Sequence, residues 1–196
     1  MHADARPPLR DIAVVGASAG GVEALRALAA AFPADHAGAV PVVLHVMSGS
    51  NSVLGDILDR AGPLSAAPAA DGEPLRHGRI YVAPPDHHLL VRGEAIALTS
   101  GPPESGHRPA VDRLFRSAAE EHGARVAGVV LSGAGHDGSA GLRAIADAGG
   151  MTLVQDPADA LYDSMPCAAL RAARVDRVAT PQQLAILLCE AAIAHG

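Results

Sequence analysis

Three polar residues of this 196-residue chain have the types that acyl-transfer chemistry needs, and each stands where an apolar run ends. Ser18 follows residues 12–15 (IAVV), within the turn Gly16-Ala17-Ser18-Ala19-Gly20-Gly21. His45 closes the run VPVVLHV at residues 40–46. Asp137 follows residues 126–131 (VAGVVL), inside a second glycine-rich turn, Ser132-Gly133-Ala134-Gly135-His136-Asp137-Gly138. A serine hydroxyl is a poor nucleophile until a neighbouring imidazole takes its proton. The imidazole in turn needs a carboxylate to fix its tautomer and to stabilise its charged form. Backbone N–H groups at the start of the helix after Ser18, beginning with that of Ala19, can stabilise an oxyanion. Each residue also has a plainer reading. Ser18 can be a helix cap, His45 a hydrogen-bonded structural residue, and Asp137 a turn former.

The elements around these residues decide whether they can meet. Fully apolar runs such as residues 12–15 and 40–46 fit strands buried on both faces. A helix over residues 22–32 sets Val22, Leu25, Ala29 and Phe32 at helical spacing until Pro33 stops it. Asn51 or Ser52 can cap a helix through Leu54, Ile57 and Leu58, which Gly62-Pro63 breaks. Residues 63–78 predict a short strand and a loop, and residues 79–83 a strand. Residues 88–91 and 95–99 alternate around Arg92-Gly93-Glu94, predicting an antiparallel hairpin at the sheet edge. His87 and His88 then point to opposite faces.

Residues 111–122 form an amphipathic pattern with Val111, Leu114, Phe115, Ala118 and Ala119 inward. A strand at 126–131, a helix at 139–148 and a strand at 151–155 follow. Residues 158–174 predict a short helix around Ala160, a break at Met165-Pro166 and a helix over 168–173. Thr180 and Pro181 open a last helix as N-cap and first residue. Buried strands alternating with helices predict a doubly wound, mostly parallel α/β sheet of three layers, α/β/α, with an antiparallel edge hairpin. Residues 1–10 read as a disordered lead-in and residues 11–196 as a single domain. In such a sheet ligands bind beyond the carboxyl ends of the strands, where Ser18, His45 and Asp137 converge from separate elements.

Composition excludes several classes. The net charge of −6 argues against nucleic acid as the main ligand. The 15 basic residues are all arginines, so chemistry that requires a lysine, such as a P-loop or a Schiff base, is ruled out. Aromatic residues make up 2% of the chain, leaving the core to Ala, Val, Leu and Ile. Cys167 and Cys189 are isolated and read as small apolar packing groups in a reducing cytoplasm. No stretch has the length of a membrane span, so direct membrane insertion is not expected.

The turn at Ser18 has rivals. It matches G-x-S-x-G, but the α/β-hydrolase elbow needs several strands before its serine and orders its residues serine, acid, histidine. The dinucleotide pattern G-x-G-x-x-G fails because residue 18 is serine. The histidines lack the spacing of a zinc site.

Several stretches together resemble the catalytic domain of the chemotaxis receptor methylesterase CheB. They are VVGASAGGVEAL, Leu44-His45 with the helix after it, GRIYVAPPDHHLLV, HRPAVDRLFRSAA, GVVLSGAGHDGSAGLRAIADAGGMTLVQDPADA and SMPCAAL. They cover roughly residues 11–175 in the family's order. The resemblance implies a serine hydrolase that removes methyl groups from γ-glutamyl methyl esters on the cytoplasmic helices of chemoreceptors, releasing methanol. Many members also deamidate particular receptor glutamines. Carried over by motif, Ser18 is the nucleophile, His45 the general base and acid, and Asp137 the partner of His45. Ala19 and Ala134 would offer backbone N–H groups to the oxyanion. No metal or cofactor is implied, and the expected site of action is the cytoplasm.

The sequence departs from the family at three points. Residues 1–10 are too few for the N-terminal receiver domain of the full-length enzyme, so regulation is expected from a separate regulatory or receiver protein. Ala134 stands where methionine is usual, and HVMSGS replaces the commoner His-Met-Pro. Arg108 and Arg113 read as solvated surface, with recognition of an acidic receptor helix as the other possibility. The alternative function is the same fold used as a catalytically degenerate regulatory or binding module, although all three catalytic types are present.

Overall fold

A computed structural model of the chain describes residues 9–49 and 52–193. Its strands are β1 (Ile12–Ala17), β2 (Ala39–Leu44), β3 (Ser65–Pro68), β4 (Arg79–Val82), β5 (His88–Arg92), β6 (Ala95–Thr99), β7 (Val126–Val130), β8 (Met151–Gln155) and β9 (Arg177–Ala179). Its helices are α1 (Gly21–Ala31), α2 (Leu54–Ala61), α3 (Val111–His122), α4 (Ser139–Asp147), α5 (Ser164–Ala172) and α6 (Pro181–Ala191). Seven strands form one parallel sheet in the order β3-β4-β2-β1-β7-β8-β9. The chain winds outward from β1 through β2 to β4 and β3, then returns to β7 on the other side of β1. The strand order thus reverses between β1 and β7, the position at which open parallel sheets bind ligands beyond the strand ends.

Alternation along β1 shows why the sheet has two apolar faces. Ala13, Val15 and Ala17 pack with Leu25, Leu28, Leu58, Leu184 and Leu188 from α1, α2 and α6. Ile12 and Val14 pack on the other face with Val111, Leu114, Phe115, Leu142 and Met165 from α3, α4 and α5. This period of two, buried on both sides, produces the continuous apolar runs of the sequence. The three-layer α/β/α reading therefore holds. Among the described residues no helix is long and apolar enough to cross a membrane.

The expected hairpin β5–β6 forms, with His88 opposite Thr99 and Arg92 opposite Ala95. It is a two-stranded sheet of its own rather than a continuation of the main one. β3 occupies the edge beside β4, and the hairpin lies against α3 instead. Val91 N–H donates to Ser117 Oγ at 3.0 Å and Gly93 N–H to Glu121 Oε2 at 3.0 Å. His88 is fully buried and His87 is exposed, as alternation requires.

Two local expectations change, and one strand has no counterpart in the sequence reading. No helix forms around Ala160; Asp156 organises a turn there, its carbonyl accepting from Asp159 and Ala160 and its side chain from Ala158. Pro166 does not break the chain but sits third in α5, where an amide has no intrahelical partner to lose. Strand β9 carries no apolar period, because it is a short, largely exposed edge strand. α6 begins as expected, with a capping box in which Thr180 Oγ1 accepts from Gln183 N–H and Gln183 Oε1 from Thr180 N–H. Residues 1–8 of the expected lead-in, and Asn51 as a helix cap, lie outside the described residues. Arg10 N–H donates to Ala191 O at 2.8 Å, and Ser52 Oγ accepts from Leu54 N–H at 3.4 Å.

Candidate active site

Parallel pairing carries the backbone one residue past the strand ends on both sides of β1. His45 N–H donates to Ala17 O at 3.1 Å, and Ser18 N–H donates to Ser132 O at 3.0 Å. Ser18 is thereby held between the chain segments that leave β2 and β7. Its hydroxyl caps nothing: the N-cap of α1 is Gly20, and no side chain bonds to the helix start. Ser18 Oγ instead lies 3.1 Å from His45 Nδ1. His45 Nε2 lies 2.7 Å from Asp137 Oδ2. An ionised carboxylate only accepts, so Nε2 carries the ring proton and Nδ1 is free to accept from Ser18.

Asp137 is 2% exposed and makes three hydrogen bonds. Besides His45, Oδ2 accepts from Val111 N–H at 2.7 Å and Oδ1 from Asp112 N–H at 2.9 Å. These are first-turn amides of α3, where the helix dipole also favours negative charge. Burial alone would favour the neutral acid. The His45 bond and the amides of Asp112 and Val111 outweigh it and hold the carboxyl below its usual range.

The support is reciprocal. Asp112, buried in α3, accepts through Oδ1 from Gly138 N–H at 3.0 Å and from Gly141 N–H at 2.7 Å, at the start of α4. Burial, with the like charge of Asp137 adding to it, holds the Asp112 carboxyl above its usual range despite those amides. Each helix thus receives its anion from the segment that carries the other.

The loop after β7 closes the site from the third side. Neither Ala19 N–H nor Ala134 N–H has a hydrogen-bond acceptor among the described residues. A Cβ built on Gly133 would lie 2.9 Å from Ser18 Cβ, which measures how closely this loop approaches the serine. Ser132 Oγ donates to Ala19 O at 2.8 Å and accepts from Tyr162 N–H at 3.0 Å, tying the loops together.

The arrangement can pass a proton from a serine to an imidazole backed by a buried anion, with two unpaired amides at hand. The three residues singled out from the sequence meet. The sequence reading did not find Asp112, or His107, whose ring stacks on that of His45 with centroids 3.5 Å apart and planes 7° from parallel. Asp112 had one signal, an acid in the first turn of a helix. His107 had one too, a histidine directly before the Arg-Pro that leads into α3. Arg108 is not simply solvated: its Nη1 donates to Ser100 O and Gly101 O. Cys189 packs against His36 Nδ1 at 3.4 Å, and burial, then Asp35 and Glu190, push its thiol up to about 11. Among the described residues, no three His, Cys, Asp or Glu side chains group to hold a metal ion.

Comparison with known proteins gives a consistent result. The family model for CheB methylesterase matches residues 13–188. The chain is 42% identical over 177 residues to protein-glutamate methylesterase/protein-glutamine glutaminase 2 of Anaeromyxobacter dehalogenans, covering 90% of this chain and 52% of that protein. It is 39% identical over 178 residues to the protein-glutamate methylesterase/protein-glutamine glutaminase of Maricaulis maris, covering 89% and 44%. The chain therefore spans about half the length of the curated relatives it matches. The crystal structure of the Thermotoga maritima CheB methylesterase catalytic domain superposes with a TM-score of 0.88 at 28% identity, over 92% of this chain and 97% of that one.

Proposed function

The chain belongs to the CheB methylesterase family, and from that premise we propose that it hydrolyses γ-glutamyl methyl esters on the cytoplasmic helices of a chemoreceptor-like protein. The single observation that supports this most is the unbroken relay Ser18–His45–Asp137, with contacts of 3.1 and 2.7 Å. In the proposed reaction Ser18 Oγ attacks the ester carbonyl as its proton passes to His45 Nδ1. Asp137 stabilises the imidazolium through Nε2–H. The amides of Ala19 and Ala134 receive the oxyanion. When the tetrahedral intermediate collapses, the C–O bond to the methoxy group breaks, and His45 returns the proton so that methanol leaves. Water then attacks the acyl-enzyme, again giving a proton to His45, and Ser18 is restored as the glutamate carboxylate departs.

The same relay serves a glutamine side chain, with ammonia as the leaving group. The relatives' double name, methylesterase and glutaminase, favours this second activity. The proposed setting is the cytoplasm.

Methylated receptor incubated with wild type, Ser18→Ala and His45→Ala tests the reading. Methanol release by wild type alone is the expected outcome. No release from receptor that is demonstrably methylated refutes the substrate, and equal release by Ser18→Ala refutes the nucleophile.

A further inference from the structure

His107 sits on the face of the general base and belongs to no hydrogen bond through its ring among the described residues. What holds it there is the segment that presents it, residues 100–110. One buried imidazole pins both ends of that strap: His88 Nε2 donates to Pro102 O at 3.0 Å, and its Nδ1 accepts from Ala110 N–H at 3.3 Å. Arg108 Nη1 donates to Ser100 O at 3.1 Å and to Gly101 O at 3.0 Å. Arg116 Nη2, on α3, donates to both carboxylate oxygens of Glu104 at 2.6 and 2.7 Å.

The tip itself is a tight turn. Glu104 and His107 exchange two backbone hydrogen bonds of 3.0 and 2.9 Å. The residues between them, Ser105 and Gly106, both have left-handed φ, 51° and 81°. Glycine takes that conformation readily, whereas serine does so against steric resistance. Such a conformation persists where the surroundings over-determine it, and it clusters at functional sites. This construction fixes the backbone from which the His107 ring reaches the face of His45.

A histidine relay works only while the imidazole plane contains both the serine oxygen and the carboxylate. The outer torsion of a histidine is broad rather than three-fold, and the two hydrogen bonds of His45 hold only the edge of its ring. A flat neighbour on the ring's face resists tilt, which edge contacts oppose weakly. We propose that His107 is a positioning residue for His45: the clamped strap sets its ring as a fixed wall that keeps the imidazole in the plane joining Ser18 to Asp137.

This inference rests on His45 acting as the base of the proposed reaction. The charged and titratable groups facing His107 are His45, Asp137 and His136. Burial, then His45, holds the His107 ring below the usual histidine range, against the pull of Asp137. The wall is therefore uncharged at neutral pH and does not repel the imidazolium that forms on His45 during proton transfer.

The test uses the full chain and two readouts: the rate at which a fluorophosphonate probe labels Ser18, which needs no receptor, and methyl ester hydrolysis. His107→Ala is expected to lower the labelling rate and kcat about 10- to 100-fold, with KM within about twofold of wild type. His107→Phe keeps a flat ring that neither ionises nor hydrogen-bonds, and is expected to recover both rates to within about threefold of wild type. The strap's clamps do not involve the His107 side chain, so both variants keep the wild-type melting temperature. Wild-type labelling by His107→Ala overturns the proposal. So does His107→Phe as slow as His107→Ala, since a wall would then not be what the ring supplies. A wild-type chain that labels at Ser18 but releases no methanol refutes the substrate reading alone, and the labelling comparison still decides the role of His107.

Discussion

Replacing Asp137 by asparagine separates the two tasks of that residue, because the amide has the same shape but only one acceptor oxygen. In the better orientation the oxygen takes the place of Oδ2 and keeps the bonds to His45 Nε2 and Val111 N–H. The NH2 group then faces Asp112 N–H, which loses its acceptor at 2.9 Å. The opposite orientation instead leaves Val111 N–H without its acceptor and reverses the His45 bond, the amide NH2 donating to Nε2, so that Nδ1 carries the ring proton and cannot accept from Ser18. One buried unpaired N–H costs about 1–3 kcal/mol, and loss of charge from the two remaining bonds about 0.5–1 kcal/mol each. The expected loss of stability is about 2–5 kcal/mol, or a melting temperature lower by roughly 4–20 °C. Activity should fall by about 10²–10⁴-fold, since a neutral amide stabilises the imidazolium poorly.

The pH dependence of this variant has a definite sign. A carboxyl held below its usual range in the fold adds stability at pH values above the unfolded pKa, and that stability is lost as pH falls through the folded value. The gap between wild type and Asp137→Asn should therefore be full at neutrality and close as the pH drops below about 4. Urea denaturation across pH, paired with fluorophosphonate labelling of Ser18, measures both effects. Full stability with lost activity would refute the idea that Asp137 anchors the first turn of α3.

Other outcomes follow from the same geometry. Gly133→Ala would press its Cβ on the Met165 sulfur and lie 2.9 Å from Ser18 Cβ; overpacking of this kind costs about 1–3 kcal/mol. Met165 can shift and Ser18 cannot, so Ser18 labelling should fall at least tenfold, and wild-type labelling would show the loop to be looser than this. Replacing His45 by glutamine should reduce Ser18 labelling about 10²–10⁴-fold, because the serine proton then loses its acceptor; wild-type labelling by the same probe would remove His45 from the role of base.

The sequence carried the parts of the fold that repeat and missed those that happen once. Strands such as β1 and β7 announce themselves because both faces are buried. α3 does so because Val111, Leu114, Phe115, Ala118 and Ala119 keep a helical spacing. β9 has neither pattern, and Pro166 misleads because a proline in the first helical turn looks like one that ends a helix. The relay was legible because each member follows a recognisable strand, where a parallel sheet puts its ligands. The stack of His107 on His45 and the exchange of anions between α3 and α4 were not. Each is a contact between distant residues that ordinary loop or helix-end chemistry would equally explain.

The order in which the relay comes together along the chain has a consequence for how the protein is made. His45 is 27 positions from Ser18, on the neighbouring strand, but Asp137 lies 92 positions beyond His45. It arrives only when β7 docks on the far side of β1. That pairing closes the longest loop in the site, and such long-range closures are slow steps in folding. A chain halted before β7 holds a serine and a histidine without the carboxylate that backs them. The relay of the newly made protein is therefore incomplete until β7 has docked on β1.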